Sequence, residues 1–215
     1  MTSMSTCGTE SAQSDRHKPI QVQIESLRPT QMAVGMRSVK FKRLRLESRS
    51  AKSIRKFLNG RPIPAVCGPG GELFIIDNHH FGLALWHAEV DGAYARIIDD
   101  KSALSPAAFW KRMEIEGRLY PYDEQGRRVA PDRLPLGLHE LRHDPYRDLA
   151  WEVREAGGFV KSKVPYAEFR WANFFRESIG LSIVRRNYDA AIDRAMKLCR
   201  SKEAASLPGY IGRHG

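Results

Sequence analysis

Hydrophobic and polar residues alternate from Ile20 to Ile24 (Ile-Gln-Val-Gln-Ile), the two-residue period of a half-buried strand. Leu27-Arg28-Pro29-Thr30-Gln31 ends that alternation. Val34, Val39, Phe41, Leu44 and Leu46 then fall at loosely helical spacing, and a second helix fits Ser50 to Leu58 with Gly60 as its stop. The apolar runs Ile63 to Cys67 and Leu73 to Ile76 flank Gly68-Pro69-Gly70-Gly71, which predicts a hairpin. A helix after His80 carries Leu83, Ala84, Trp86 and His87 and stops near Gly92, and Tyr94 to Ile98 reads as another strand. Ser105-Pro106 is a helix start, a capping hydroxyl followed by proline at the first helical position. From Asp132 to Ser201 the pattern is mostly helical, with segments at Tyr146 to Glu155, Tyr166 to Glu177 and Leu181 to Arg200. The last of these sets Val184, Tyr188, Ala191, Ile192, Ala195, Met196 and Cys199 on one face. The expected fold class is α+β: a small mixed domain over residues 19–103 and a helical C-terminal extension over residues 104–203 packed on it. A polar segment, residues 1–18, and residues 204–215 are expected to be flexible tails.

Composition narrows the class of protein. No apolar run approaches the ~20 residues that span a bilayer, and the first residues lack the apolar core of a secretory signal. Three widely spaced cysteines, Cys7, Cys67 and Cys199, form no CxxC pair and point to neither a zinc knuckle nor a disulfide framework. A reducing cytoplasm is the expected location. The formal charge of +10 is unevenly spread. Lys40, Lys42, Arg43, Arg45, Arg49, Lys52, Arg55 and Lys56 crowd one helical span, and a second basic group lies between Arg185 and Lys202. Such clusters read first as solvated helix faces and second as contacts to phosphates.

Candidate chemistry concentrates at Asp77-Asn78-His79-His80, where an apolar strand hands over to a helix. The first-turn N–H groups of a helix attract anions, and a carboxylate beside an imidazole can fix its tautomer or raise its basicity. The competing interpretation is a turn with solvent-exposed histidines. Asp144-Pro145-Tyr146-Arg147 is next: Asp144 would cap a helix and Arg147 would lie in its first turn, able to reach a phosphate or to form a salt bridge with Asp148 or Glu152. His139-Glu140-Leu141-Arg142-His143 matches the zinc-protease pattern letter for letter, but Pro135, Gly137 and Pro145 leave little room for the helix that chemistry needs. The aromatics Trp110, Trp151, Phe169, Trp171, Phe174 and Phe175 sit at core-like helical spacing, and no Lys-Ser/Thr follows Gly68 to Gly71 as in a phosphate-binding P-loop.

The Asp-Asn-His-His turn after a Gly-rich hairpin resembles the Asp-Gly-His-His-Arg motif of the ParB/sulfiredoxin superfamily, and in particular its ParB-like nuclease branch. Leu27 to Gln31 with Val34-Gly35-Met36-Arg37 is similar to that branch's opening signature, and Phe109-Trp110 and Tyr120-Pro121-Tyr122-Asp123 to its middle. Asp144 to Ala150, Arg154 to Gly158 and Glu168 to Ala172 resemble its C-terminal half. The resemblance implies a nucleotide or phosphate-containing ligand at the Asp77–His80 turn, with nuclease or phosphoryl-transfer activity, and a nucleoside phosphate with Mg as candidate cofactor. Carried over, Asp77, Asn78, His79 and His80 line the pocket for that ligand; Asp77, His79 and His80 are the candidate catalytic residues, and Asn78, Gln31, Arg37 and Arg147 the candidate ligand contacts. No metal ligands are assigned. The alternative is a non-catalytic DNA-associated or nucleotide-sensing module. The expected partners are a phosphorylated small molecule or nucleic acid, with no membrane. Two positions depart from the pattern: Phe81 stands where the superfamily often has arginine, and Ser38 where the opening signature often has glutamate.

Overall fold

The alternating Ile-Gln-Val-Gln segment forms an edge strand, β1 (Ile20–Gln23), which buries Val22 and leaves its neighbours in solvent. A computed structural model of the protein describes residues 18–212, so the expected amino-terminal tail lies outside the described residues but for Lys18. Four further strands complete a mixed sheet in the order β1-β6-β4-β5-β2. They are β2 (Leu27–Pro29), β4 (Ile63–Cys67), β5 (Leu73–Ile75) and β6 (Gly92–Asp100). β4 and β5 pair antiparallel across the glycine-rich turn, where Gly70 and Gly71 hold φ of 72° and 77°, a region that costs glycine nothing. β4 also pairs in parallel with β6, with Ile63 opposite Ala95 and Pro64 opposite Arg96. Two-residue strands β3 (Ala33–Val34) and β7 (Arg142–His143) form a separate pair.

Helix α1 (Met36–Glu47) precedes α2 (Ala51–Asn59), which starts and stops where its caps require. The Ser50 hydroxyl accepts from the Ser53 N–H at 3.4 Å, and Gly60 ends the helix. α3 (His79–His87) follows β5 directly, and α4 (Pro106–Ile115) begins at the Ser105 cap. Contacts divide the chain into two compact units. The first takes residues up to Met32 together with Val39–Asp123 and Arg127–Arg142, and the second takes Ala33–Ser38, Glu124–Gly126 and everything from His143. The core of the first unit is built on Ile24, Leu27, Ile63, Ile75, Leu83, Leu85, Phe109 and Met113, all fully buried. Each such side chain contributes roughly 1.5–3 kcal/mol by leaving water. α4 groups with this sheet-bearing unit rather than with the later helices, although the sequence pattern changes near residue 103: Phe109 packs against Phe74 of β5 with tilted rings whose centroids are 4.7 Å apart.

The second unit is the helical C-terminal part: α5 (Pro145–Glu155), α6 (Ala167–Ser178), α7 (Leu181–Arg186) and α8 (Tyr188–Leu198). Its centre is Trp171, with Phe159 stacked on it at 4.3 Å and Phe175, Leu149, Val153, Ala191 and Ala195 around it. Two expectations need correction here. The helix expected from Leu181 to Arg200 is broken at Asn187, whose side chain accepts from the Ala190 N–H at 3.2 Å and caps a new helix. Asparagine competes for backbone groups in this way, and the apolar face of the sequence hides it. The C-terminal stretch is not a free tail as far as Gly212: the Trp171 indole donates to the Pro208 carbonyl at 2.7 Å, and the Val160 N–H donates to the Gly209 carbonyl at 2.9 Å. Residues 213–215 lie outside the described residues.

Candidate functional site

β5 is buried along its whole length, so the chain emerges at Ile76 with its polar residues forced to the strand's end. Asp77 is exposed, and its Oδ1 accepts from the Asn78 N–H at 2.6 Å. Asn78 has φ 64° and ψ 23°, a left-handed conformation that turns the chain into α3 without a side-chain cap. α3 therefore starts at His79, and its positive end faces the turn.

The two histidines part company. His79 is buried at 5% exposure, and its Nε2 accepts the Thr30 N–H at 3.1 Å. The Thr30 hydroxyl in turn donates to the Ile75 carbonyl at 2.8 Å. An accepting Nε2 places the ring proton on Nδ1, so His79 is a neutral clasp between the β2 end and α3. His79→Phe is expected to leave that amide unpaired and to cost roughly 1–3 kcal/mol in chemical denaturation. His80 is half-buried at the second position of α3.

A cavity of about 470 Å³ opens beside this turn. Asn78 and Phe81 line it; Asp77, His79 and His80 do not. The rest of its wall comes from α1 (Phe41, Lys42, Arg45, Leu46), the end of α2 and its exit (Phe57, Gly60, Arg61, Pro62) and Arg96 of β6. None of the described lining residues is acidic. Parallel pairing of β4 with β6 brings the two ends of this basic wall together, since Pro64 sits opposite Arg96 and Arg61 lies just before β4. The aromatic rings are held by guanidinium groups: Arg61 lies over Phe57 at 4.7 Å, Arg49 over the same ring at 4.2 Å, and Arg45 near Phe41 at 5.6 Å. Lys42 and Arg45 belong to the basic cluster visible in the sequence, whereas Arg61 and Arg96 were missed. The only signal for Arg96 was its outward position in the alternation of Tyr94-Ala95-Arg96-Ile97.

The remaining sequence candidates do not line this cavity. Gln31 is buried in the first unit, in an isolated bridge to Tyr120. Arg37 and Arg147 belong to the second unit. The Arg37 guanidinium lies 3.1 Å from Glu152 and 3.7 Å above the Tyr188 ring, while its N–H donates to Asp148 Oδ1 at 2.8 Å. Arg147 is buried, its guanidinium 3.4 Å over the Phe169 ring. Asp144 caps α5 through the Tyr146 N–H at 2.9 Å and pairs with Arg176 at 2.5 Å. Burial pushes the Asp144 carboxyl above its usual range, against the pull of Arg176 and Arg147. The H-E-x-x-H letters lie on a short 3-10 turn and a strand, not on an α-helix. His139 stacks on Trp86, the Glu140 carboxylate accepts the Leu136 N–H, and His143 pairs with Asp148 at 2.9 Å. Among the described residues no group of three or more His, Cys, Asp or Glu is arranged to hold a metal. Cys67 and Cys199 are buried, and burial pushes the Cys199 thiol up to about 12, so Cys199 is not poised as a thiolate. Among the described residues no helix is long and apolar enough to cross a membrane.

A curled mixed sheet whose buried strand ends in an Asp-Asn-His-His turn, with a helical C-terminal part, defines a ParB-like α+β protein. The family described as "Putative ParB-like nuclease" matches residues 20–177, and the chain belongs to that family. It is also similar to a solved structure, protein Atu1540 from Agrobacterium tumefaciens, at 37% sequence identity and a TM-score of 0.85, covering 91% of this chain and 98% of that one. No curated protein matches the sequence.

Proposed function

We propose that the protein binds a phosphate-bearing ligand in the cavity beside Asn78, with the start of α3 and the cations of the wall sharing its charge. One observation carries this: Lys42, Arg45, Arg61 and Arg96 converge on one concavity with no acid among the described lining residues. Arg45, Arg61 and Arg96 are like charges gathered on a wall with no acid among its described residues; they repel one another, and an anionic guest relieves that repulsion. Phe81 stands at this wall where relatives often carry arginine, and the guanidinium groups come instead from Arg45, Arg61 and Arg96. The family's name adds support for phosphodiester or phosphoryl chemistry. His80 is then the acid–base candidate, because His79 already accepts a backbone hydrogen bond through Nε2. The donor set fits phosphate oxygens, and the wall itself offers Mg no carboxylate; Glu47 and Asp77 adjoin the wall residues Leu46 and Asn78 in sequence.

A purely binding role has one observation in its favour: the wall carries neither carboxylate nor imidazole. Calorimetric titration with inorganic triphosphate and with nucleoside triphosphates tests the binding. Paired Arg45→Glu and Arg61→Glu changes should weaken it at least about 100-fold, roughly tenfold for each 1.4 kcal/mol of lost attraction. The reading is wrong if no triphosphate binds the unaltered protein or if the paired change leaves affinity untouched. Turnover of a phosphodiester substrate that disappears in His80→Ala would establish catalysis, whereas binding without turnover leaves the module.

A further inference from the structure

We infer that the occupant of this cavity is one nucleotide of a single-stranded polynucleotide, not an isolated mononucleotide, an inference that rests on the phosphate-binding reading above. The positive charge does not stop at the cavity rim. Residues 39–61 hold nine Lys and Arg against Glu47 alone, so they carry +8 of the chain's formal +10. Glu47 is itself paired with Arg43 at 3.3 Å. Beyond the wall, Lys52, Arg55 and Lys56 lie at i, i+3 and i+4 of α2, and all three are exposed. That spacing puts them on one helix face as a stripe. Lys40 extends the charge on the exposed side of α1. A mononucleotide satisfies the wall cations and leaves the stripe without a guest, whereas a phosphodiester chain supplies one charge per residue along its length.

The aromatic content of the cavity selects a single strand over a duplex. Phe41 lines the cavity and is 47% exposed, so part of its ring can be reached from solvent. A base with an open π-face can stack there, beside Arg45 at i+4. In a duplex both faces of each base are already stacked on its neighbours, so a duplex can offer the stripe only its phosphates.

Fluorescence anisotropy of the full chain tests this with three probes: a labelled oligothymidylate of about 12 nucleotides, the corresponding duplex, and competing thymidine triphosphate. The single strand should bind at least about tenfold tighter than the triphosphate or the duplex. Its affinity should fall with salt at a slope steeper than about −2, since each phosphate contacted on a single strand contributes about −0.7. The triple change Lys52→Glu, Arg55→Glu, Lys56→Glu should remove that advantage and flatten the slope while leaving triphosphate affinity unchanged; the triple Gln variant should do so to a lesser degree. Phe41→Ala should weaken the oligonucleotide about tenfold. Equal affinity for triphosphate and oligonucleotide, with the stripe variants inert, overturns the inference and leaves the phosphate site standing. Equal affinity for duplex and single strand, indifferent to Phe41→Ala, also overturns it. Binding of no probe removes both readings.

Discussion

Trp171→Ala is expected to destabilise the helical unit by roughly 3–5 kcal/mol, the range seen when a large buried aromatic is truncated. Trp171 is fully buried and stacks face to face on Phe159 at an interplanar angle of 10°. It also fixes the C-terminal stretch through its bond to the Pro208 carbonyl. Alanine removes the stacking surface, leaves a cavity lined by Phe159, Phe175 and Leu149, and frees a buried carbonyl. For a chain of this size each kcal/mol shifts the melting midpoint by about 2–4 °C, so thermal denaturation should show a loss of roughly 6–20 °C. Trp171→Phe should restore most of the packing and little of the C-terminal tether. An unchanged midpoint in the alanine variant would mean that the core is centred elsewhere.

Gly35→Ala is expected to cost roughly 3–4 kcal/mol, more than its single added carbon implies. A Cβ at position 35 would sit 2.5 Å from Asp148 Oδ1, 2.9 Å from the Asp148 backbone nitrogen and 3.1 Å from the Arg147 carbonyl carbon. Two of these are backbone atoms of α5, and the carboxylate is pinned by the Arg37 N–H and by His143. Something must move, and whichever way it moves the buried Asp148 loses a partner. Urea denaturation of the variant checks the figure, and a midpoint equal to that of the unaltered protein would refute it. The glycine of the Val-Gly-Met-Arg signature is thus explained by clearance for an aspartate 113 residues further along the chain.

The parts of this fold that could be read from the sequence are those set by near neighbours. Ser50, Ser105 and Asp144 announce helix starts because a capping side chain acts two or three residues ahead, and all three do so here. The Asp77–His80 turn was legible for the same reason: an apolar strand, a residue tolerant of left-handed geometry and a helical pattern follow one another directly. What the turn does was not legible. His79 is a clasp only because Thr30, 49 residues earlier, presents its N–H to it. The basic wall exists only because β4 and β6 pair in parallel and set Arg61 near Arg96. Arg37 and Arg147 were candidate anion contacts, Arg147 with a salt bridge as its alternative, and no local pattern showed that their guanidinium groups lie over Tyr188 and Phe169. A pattern of apolar positions likewise could not show the interruption at Asn187, since the capping amide leaves the apolar face intact on both sides.

The left-handed geometry of Asn78 carries a consequence for divergence among relatives. Glycine and asparagine are the residues that occupy such a conformation most cheaply, with aspartate next. Asp-Gly-His-His, the motif this turn resembles, and this chain's Asp-Asn-His-His can therefore follow one backbone path. A lineage can pass between them in a single replacement without disturbing where α3 begins, and in doing so it places or withdraws one amide side chain at the mouth of the cavity.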